Sequence, residues 1–131
     1  MRTLRALVPI AAATALMVPA APGFAKDGGD DDGRVIKRGD CSGASNWKLK
    51  AKPDDGGLEV EFEVDQNRNN VRWNVRIRRN GKSVASGARR TKAPSGSFEF
   101  ERDIANPSGT DRISAVARRG SGETCRASLR I

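Results

Sequence analysis

The sequence of 131 residues contains no histidine and no tyrosine, and it has only two cysteines. Histidine is the commonest general base and zinc ligand, so its absence excludes Ser-His-Asp triads and the usual zinc sites. A metal site would have to be built from carboxylates alone. These absences predict that the protein is not an enzyme and that it needs no cofactor.

The few motifs with catalytic precedent have the wrong geometry. Ser45 and Lys48 match a Ser-x-x-Lys pattern, but residues three apart on a strand face opposite sides. The glutamates of 59–63 resemble paired carboxylates of glycoside hydrolases, yet alternate residues of an exposed strand are equally solvated, which does not separate an acid from a base. The aspartates of 26–33 lack the ligand spacing of a calcium-binding EF-hand loop. We therefore predict no catalytic residue and no metal site.

Long apolar runs are rare, and the clearest one lies at the N-terminus. Residues 1–25 contain two arginines, a 13-residue apolar stretch at 6–18 and small residues before Lys26. This order is typical of a secretory signal peptide, with cleavage after Ala25. The apolar stretch is much shorter than the roughly 20 residues that span a bilayer. The sequence therefore predicts a secreted, extracellular protein without a membrane span.

The two cysteines, Cys41 and Cys125, are expected to form a disulfide bond because exported proteins meet oxidising conditions. With two cysteines only one pairing is possible. The bond would close a loop of about 85 residues, which stabilises the fold by roughly 4 to 5 kcal/mol in the chain-entropy treatment. Since Cys41 precedes the first clear strand and Cys125 begins the last, we expect the bridge to join the two terminal strands.

Composition divides the rest of the chain into a linker and one domain. The linker, 26–40, begins with KDGGDDDG, which has no apolar residue to bury, so we expect a flexible acidic segment. Over 41–131 apolar residues recur at every second position, which is the period of a β-strand. Clusters of Gly, Pro, Asn and Asp separate the alternating segments. About seven short strands predict an all-β, immunoglobulin-like antiparallel β-sandwich over 41–131.

The sharpest local prediction is a hairpin at the Asn-Gly pair of 80–81. Asn and Gly tolerate the positive φ angles of a type I′ turn, so Arg79 and Lys82 should face each other across a two-residue loop. Continuing that register sets Ile77 opposite Val84. The apolar faces of the two strands then coincide, which supports the pairing.

Charged residues alternate with apolar ones in two successive segments, as glutamates in LEVEFEV and mostly as arginines in RWNVRIR. If the two strands pair, Glu63 lies opposite Arg72 and Glu59 opposite Arg76, and the preceding strand sets Lys50 opposite Glu59. Such a ladder would fix the register of the sheet. We interpret the alternation as sheet architecture. In a standard immunoglobulin topology these strands belong to different sheets, and the ladder would not form.

Three segments carry a resemblance to known proteins: CSGASNWKLKAK, LEVEFEVDQNRNNVRWNVRI and GETCRASLRI. Together with the signal peptide they are similar to small uncharacterised secreted proteins of high-GC Gram-positive bacteria, over the whole mature chain. The resemblance implies secretion and transfers no site. The resemblance to immunoglobulin domains is general: a strand tryptophan is present at Trp73, but the tyrosine corner is missing and the cysteines lie near the two ends of the domain.

Basic charge is concentrated in the second half of the chain, which has 15 Lys and Arg against 5 Asp and Glu from Gln66 onward. Basic clusters attract polyanions, such as the anionic polymers of a cell surface. We predict that several of these residues lie in or beside loops and bind such a polymer. They are Arg89, Arg90, Lys92, Arg118 and Arg119.

The aromatic residues fall on core positions by alternation, so they offer no platform on which bases stack. Recognition is therefore expected to depend on charge, without sequence-specific binding of nucleic acid. Two alternatives stay open. In one, the chain is an accessory or interaction domain that docks a protein partner through a sheet edge or loops. In the other, the basic charge only keeps an exported protein soluble.

Overall fold

A computed structural model of the chain describes residues 33–105, 109–120 and 122–131. The described residues form eight strands in two four-stranded antiparallel sheets, with no helix among them. The predicted all-β antiparallel fold is confirmed. Within those ranges no helix has the length and apolar character needed to cross a membrane. The predicted signal peptide and residues 26–32 of the predicted linker lie outside the described residues.

The strands follow the alternating segments of the sequence. The first sheet contains, in spatial order, β1 (Val35–Asp40), β2 (Asn46–Asp54), β3 (Gly57–Asp65) and β6 (Ser97–Ala105). The second sheet contains, in spatial order, β5 (Lys82–Arg90), β4 (Arg72–Arg79), β7 (Arg112–Arg118) and β8 (Thr124–Arg130). The chain therefore crosses between the sheets after β3, after β5 and after β6.

The core lies between the inner faces of the two sheets, where alternate residues are buried. Trp73 is fully buried on β4, and its indole N–H donates to Gln66 Oε1 at 3.0 Å, so the polar group of the ring has a partner. The ring centroids of Trp73 and Phe98 lie 6.0 Å apart, within the range typical of aromatic pairs. The largest fully buried side chains are Trp73, Phe62, Phe100, Leu49, Leu58, Ile77 and Ile113.

The end of the segment expected as a flexible linker is a strand. β1 pairs with β2 along its whole length, so residues 35–40, which the sequence assigned to the linker, belong to the first sheet. The alternation in this strand is weak because Gly39 takes an inward position opposite Trp47. A Cβ at Gly39 would lie 2.5 Å from the Trp47 ring, which occupies the space that a side chain would fill.

The predicted ladder between the glutamate and arginine strands is wrong, because β3 and β4 belong to different sheets. The pairs Glu63–Arg72 and Glu59–Arg76 therefore do not form. β3 lies between β2 and β6, and the chain crosses to the second sheet over 66–71. The topology that the sequence left open, with these strands in separate sheets, is the one observed.

β2 does pair with the glutamate strand, but in a register shifted by two residues. Lys52 lies opposite Glu59, where Lys50 was predicted. The connecting turn is tighter than the sequence PDDGG suggested. Asp55 and Gly56 alone form it, with φ angles of 47° and 78°, and such left-handed values suit a two-residue hairpin.

The hairpin between β4 and β5 is confirmed at its turn, where Arg79 lies opposite Lys82. A β-bulge next to Ile77 then shifts the register, so that Ile77 faces Ala85, one residue beyond the predicted partner. One extra residue reverses the side to which the following residues of a strand point. As a consequence, Arg89 takes a register position that faces inward, opposite the buried Trp73.

The sulfur atoms of Cys41 and Cys125 lie at disulfide distance, 2.07 Å, with the Cα atoms 4.3 Å apart. Cys41 lies in the loop between β1 and β2, and Cys125 lies in β8. The bond therefore connects the two sheets at one end of the sandwich, and it joins the loop after the first strand to the last strand.

Candidate functional site

Positive charge is concentrated on the outer face of the second sheet. On β4, β7 and β8 the inward residues are buried, and the alternate residues face solvent. Most of these solvent-facing positions hold arginine. We call the following residues the arginine face: Arg72, Arg76, Arg78, Arg90, Arg112, Arg118, Arg126 and Arg130.

None of the other solvent-facing positions on the described strands of this sheet is acidic. Like charges lie directly opposite each other, Arg72 with Arg90 and Arg112 with Arg130. Such pairs destabilise a sheet, so the folding of the domain does not by itself account for them. The intervening residues are small or neutral: Asn74, Ser86, Ala88, Ser114, Val116, Thr124 and Ser128.

The arginine face contains a shallow, open depression of about 660 Å³ that extends over β5, β4 and β7. Short residues such as Gly87, Ala88 and Val116 contribute to its lining, together with longer side chains such as Arg76 and Arg118. A guanidinium group donates two parallel hydrogen bonds to a carboxylate, sulfate or phosphate. The arrangement suits an extended anionic chain lying across the sheet.

The five residues predicted to bind a polyanion do not form one site, and only Arg90 and Arg118 belong to the arginine face. The prediction that Arg89 and Arg90 lie in a loop is wrong, because β5 continues to Arg90. Arg89 turns inward as a result of the bulge. Its guanidinium carbon lies 4.9 Å from the centre of the Phe100 ring, which is a cation–π contact.

Lys92 and Arg119 also lie away from the arginine face. Lys92 is exposed in the turn after β5, and its backbone pairs with that of Ser97. Arg119 follows β7 and is half-buried near Glu123, whose negative charge balances it. The two residues therefore do not extend the surface formed by Arg90 and Arg118.

Most of the arginine face was not predicted from the sequence. The prediction set Arg72 and Arg76 opposite glutamates, and it gave no role to Arg126 and Arg130. The signal was nevertheless present, because both pairs follow the pattern Arg-x-x-x-Arg within alternating segments, which puts them on one side of a strand. The sequence pattern did not reveal which strands lie side by side.

The outer face of the first sheet carries the opposite charge. The solvent-facing positions of β3 hold three glutamates, and those of β6 hold two glutamates and an aspartate. These two rows lie directly opposite each other across the strands. We call the following residues the carboxylate patch: Glu59, Glu61, Glu63, Glu99, Glu101 and Asp103.

Lysines of β2 neutralise one side of the carboxylate patch. Lys50 Nζ lies 3.1 Å from a carboxylate oxygen of Glu61, and Lys48 Nζ lies 3.7 Å from one of Glu63. The row on β6 has like charges as its cross-strand partners on β3. Negative charge is therefore left in excess along the β6 side of the patch.

The crowding of carboxylates affects Glu101, which lies opposite Glu61. Its partial burial and the negative charges of Glu59 and Glu61 raise the pKa of the Glu101 carboxyl above its ordinary value, and the positive charge of Lys50 counters this only in part. Positive charge supplied from outside the chain would stabilise the ionised form of this group.

Some carboxylates are close enough to share a cation. Three groups of three acids, drawn from the carboxylate patch and Asp54, have ligand atoms within 4.8 Å of one another. Each group includes a solvent-exposed residue, and acidic groups on an exposed sheet commonly occur without a metal. We assign no metal site to them.

A buried carboxylate, Glu123, fixes one end of the sandwich. It accepts hydrogen bonds from the Ser45 backbone N–H at 2.8 Å and from the Ser45 hydroxyl at 2.6 Å. Burial by itself disfavours the charged form, but these bonds, another from Gly43 and the positive charge of Arg119 outweigh it and lower the pKa of Glu123. The contacts hold the loop after β1 against the segment before β8, beside the disulfide.

Comparison with protein-family models, curated protein sequences and solved structures finds no match to the chain. The function is therefore argued from the geometry of the molecule. Its most distinctive property is the opposite charge on the outer faces of its two sheets.

Proposed function

We propose that this protein is a secreted, non-catalytic β-sandwich that binds anionic extracellular polymers through the arginine face. The observation that carries the proposal is the composition of that face, which has eight arginines and no acid at the solvent-facing positions of the described strands. The proposal keeps the ligand class expected from the sequence and moves the site from the loops to the sheet.

Release of counterions would provide much of the binding free energy. An anionic polymer holds a layer of small cations, and each contact with a basic side chain releases some of them. Arginine adds directional, paired hydrogen bonds that lysine does not make. Rows of arginine on β4 and on β8 give an extended chain several such contacts at once: Arg72, Arg76 and Arg78, and Arg126 and Arg130.

The described strands offer charge without a fully exposed aromatic ring on which bases could stack. Phe62, Trp73, Phe98 and Phe100 are buried in the core. Recognition of single-stranded nucleic acid commonly uses exposed aromatic rings as stacking platforms. Binding would therefore follow the charge density of the polymer and not its sequence.

The proposed architecture is immunoglobulin-like. β2, β3 and β6 correspond in order to strands A, B and E of that fold, and β5, β4, β7 and β8 correspond to C′, C, F and G. β1 is an addition beside the first sheet. The Cys41–Cys125 bridge differs in position from the usual bridge between strands B and F, but it supports an extracellular location, where disulfides persist.

The test is the binding of inorganic polyphosphate, a polymer without bases or sugars, measured by calorimetry at several salt concentrations. Affinity should fall steeply with salt. Replacing Arg76 and Arg118 by serine should weaken binding and reduce the slope of log affinity against log salt by about 1 to 2, since each phosphate contact contributes roughly 0.7 to 0.9. Replacing Arg68 and Lys92, which are exposed outside the arginine face, removes the same charge and should leave the slope unchanged.

If the replacement of Arg68 and Lys92 weakened polyphosphate binding as much as the replacement of Arg76 and Arg118, total charge would determine the affinity and the arginine face would not be the site. Absence of binding even at low salt would overturn the proposal. Docking of a protein partner through a sheet edge or loops would then be the better hypothesis, and a complex that persists at high salt would be its signature.

A further inference from the structure

The two outer faces of the sandwich carry opposite charges on opposite sides of one molecule. The arginine face lies on the second sheet and the carboxylate patch on the first, and the sheets contact each other through their inner faces. One face therefore cannot neutralise the other within a single copy. Two copies placed face to face can do so.

We propose that the carboxylate patch of one copy docks onto the arginine face of a second copy, so that molecules stack sheet against sheet. A second copy is the partner that charge complementarity favours, because the chain itself supplies both surfaces. The proposal does not depend on polymer binding, since the carboxylate patch takes no part in that function.

Both surfaces contain like-charge neighbours that a docked copy would separate. On the first sheet Glu61 lies opposite Glu101, and on the second sheet Arg72 lies opposite Arg90. Each of these pairs is unfavourable within the isolated chain. A guanidinium group placed between two carboxylate rows could donate charge-assisted hydrogen bonds to both rows, and such bonds are stronger than those between neutral groups.

Some of the charges on the two surfaces have the same spacing. Arg72 and Arg76 are four residues apart on β4, and Glu99 and Asp103 are four residues apart on β6. Four residues of a strand extend over about 13 Å, and neighbouring strands lie about 4.8 Å apart. Two arginines of one copy can therefore each lie opposite a carboxylate of the other.

The size of the surface predicts a weak contact. Four strands with about seven residues each cover roughly 450 Å², from the standard strand spacings. Stable interfaces bury about 800 Å² on each partner. Association is thus expected at high protein concentration and low ionic strength.

Docking through faces is favoured over docking through the neighbouring edges of β5 and β6. Each of these edge strands points an arginine inward: Arg89 lies 4.9 Å and Arg102 lies 4.2 Å from the centre of the Phe100 ring. Inward-pointing charges and bulges are features by which edge strands avoid pairing with another sheet.

The proposed contact is heterologous, because each copy uses a different surface on its two sides. A heterologous contact that does not close into a ring produces an open stack. The average mass should therefore rise continuously with concentration and not stop at a dimer. An anionic polymer that occupies the arginine face would compete with stacking.

Sedimentation velocity of the purified protein, with EDTA present, tests the proposal. In about 10 mM salt, where the Debye length is about 30 Å, the average mass should increase with protein concentration. In about 1 M salt, where the Debye length is about 3 Å, the protein should be monomeric. A monomer under both conditions would overturn the proposal, and so would association that requires a divalent cation.

Two charge-reversal variants identify the surfaces. The first carries Glu99→Lys and Glu101→Lys, and the second carries Arg76→Glu and Arg126→Glu. Each variant should be monomeric by itself in low salt. An equimolar mixture should associate, because the intact arginine face of the first variant meets the intact carboxylate patch of the second.

A matched control separates docking from net charge. Asp55→Lys with Ala44→Lys and Asn69→Lys makes the same change in charge at exposed loop positions away from both outer faces and should leave stacking unchanged. Folding is checked by thermal unfolding, where the lysines at 99 and 101 should not destabilise the protein because they face glutamates across the strand. A mixture that stays monomeric although both variants are folded would overturn the proposal.

Discussion

Two glutamates show how the surroundings of a single residue determine its effect on stability. Glu123 is buried but accepts hydrogen bonds from Ser45, and its pKa is lowered. Glu101 lies at the surface among like charges, and its pKa is raised. The charged form is therefore stabilised at one position and destabilised at the other. The two residues should impose opposite dependences of folding stability on pH.

Replacing Glu123 by glutamine should lower the free energy of unfolding at neutral pH by about 1 to 3 kcal/mol, the usual effect of weakening buried hydrogen bonds to a charged group. Because the folded-state pKa lies below the ordinary value of 4.5, the stabilisation by Glu123 is present above that pH and is lost as pH falls through the folded-state pKa. Urea unfolding of both proteins between neutral and acidic pH should show the difference shrinking. A constant difference would contradict this role.

Replacing Glu101 by glutamine should have the opposite effect. With its pKa raised above 4.5, the group favours folding below that pH and disfavours it as pH rises through the folded-state pKa. The variant should therefore be more stable than the parent at neutral pH, by at most about 1 kcal/mol because solvent screens the charges. Thermal unfolding at neutral and acidic pH measures this. Equal stability at neutral pH would show that Glu59 and Glu61 do not affect this position.

At the scale of strands, local sequence signals predict the structure correctly, whereas the pairing of distant strands has no such signal. The Asn-Gly turn fixes the start of the β4–β5 hairpin, because two residues with positive φ determine the loop. The crossing over 66–71 has no comparable signal. Residues on either side of it alternate equally well whether β3 and β4 pair or lie in separate sheets, so periodicity alone cannot distinguish these topologies.

The bulge in β5 is a second non-local feature. It moves Arg89 to the inner side, where the guanidinium lies over Phe100 of the other sheet. The contact is possible because Gly87, two residues earlier, leaves room: a Cβ there would lie 2.9 Å from the Phe100 ring. Neither the bulge nor this packing has a local sequence signal. The predicted register of β4 and β5 is therefore wrong beyond the turn.

The attachment of β1 should depend on Gly39. Replacing Gly39 by alanine places a methyl group against the Trp47 ring, at the 2.5 Å separation noted above, and overpacking of this kind costs about 1 to 3 kcal/mol. Hydrogen exchange should show faster exchange in β1 and little change in β4. Lys37→Ala, at an exposed position of the same strand, serves as the control. Unchanged protection of β1 in the glycine variant would mean that Trp47 moves aside easily.

At the scale of the whole molecule, the sequence predicted the sign of the charge but not its distribution. An excess of basic residues in the second half is visible directly, and that half contributes all four strands of the second sheet. Whether arginines gather on one face depends on which strands are neighbours. Arg76 on β4 and Arg126 on β8 are 50 positions apart in the chain, yet one strand, β7, separates them. The disulfide can be predicted without knowing which strands are neighbours, because two cysteines allow only one pairing.

The disulfide and Glu123 hold the same loop against the second sheet, and this makes their combined effect predictable. Replacing Cys41 and Cys125 by serine should reduce the free energy of unfolding by roughly 2 to 5 kcal/mol. Reduction of the parent protein should cause a similar loss. The intact mass of the parent protein without reductant should be lower than that of its reduced form by the mass of two hydrogen atoms, as expected for one disulfide.

Adding Glu123→Gln to the cysteine variant tests the coupling. Once the bridge is gone, the loop that carries Ser45 is free to move, and the hydrogen bonds to Glu123 lose part of their geometry. The glutamine substitution should therefore cost less in the cysteine variant than in the parent, with an interaction energy of at least about 0.5 kcal/mol, as measured for residues that share partners. A double-mutant cycle by urea unfolding measures this difference. Strict additivity would mean that the bridge and the carboxylate fix the loop independently of each other.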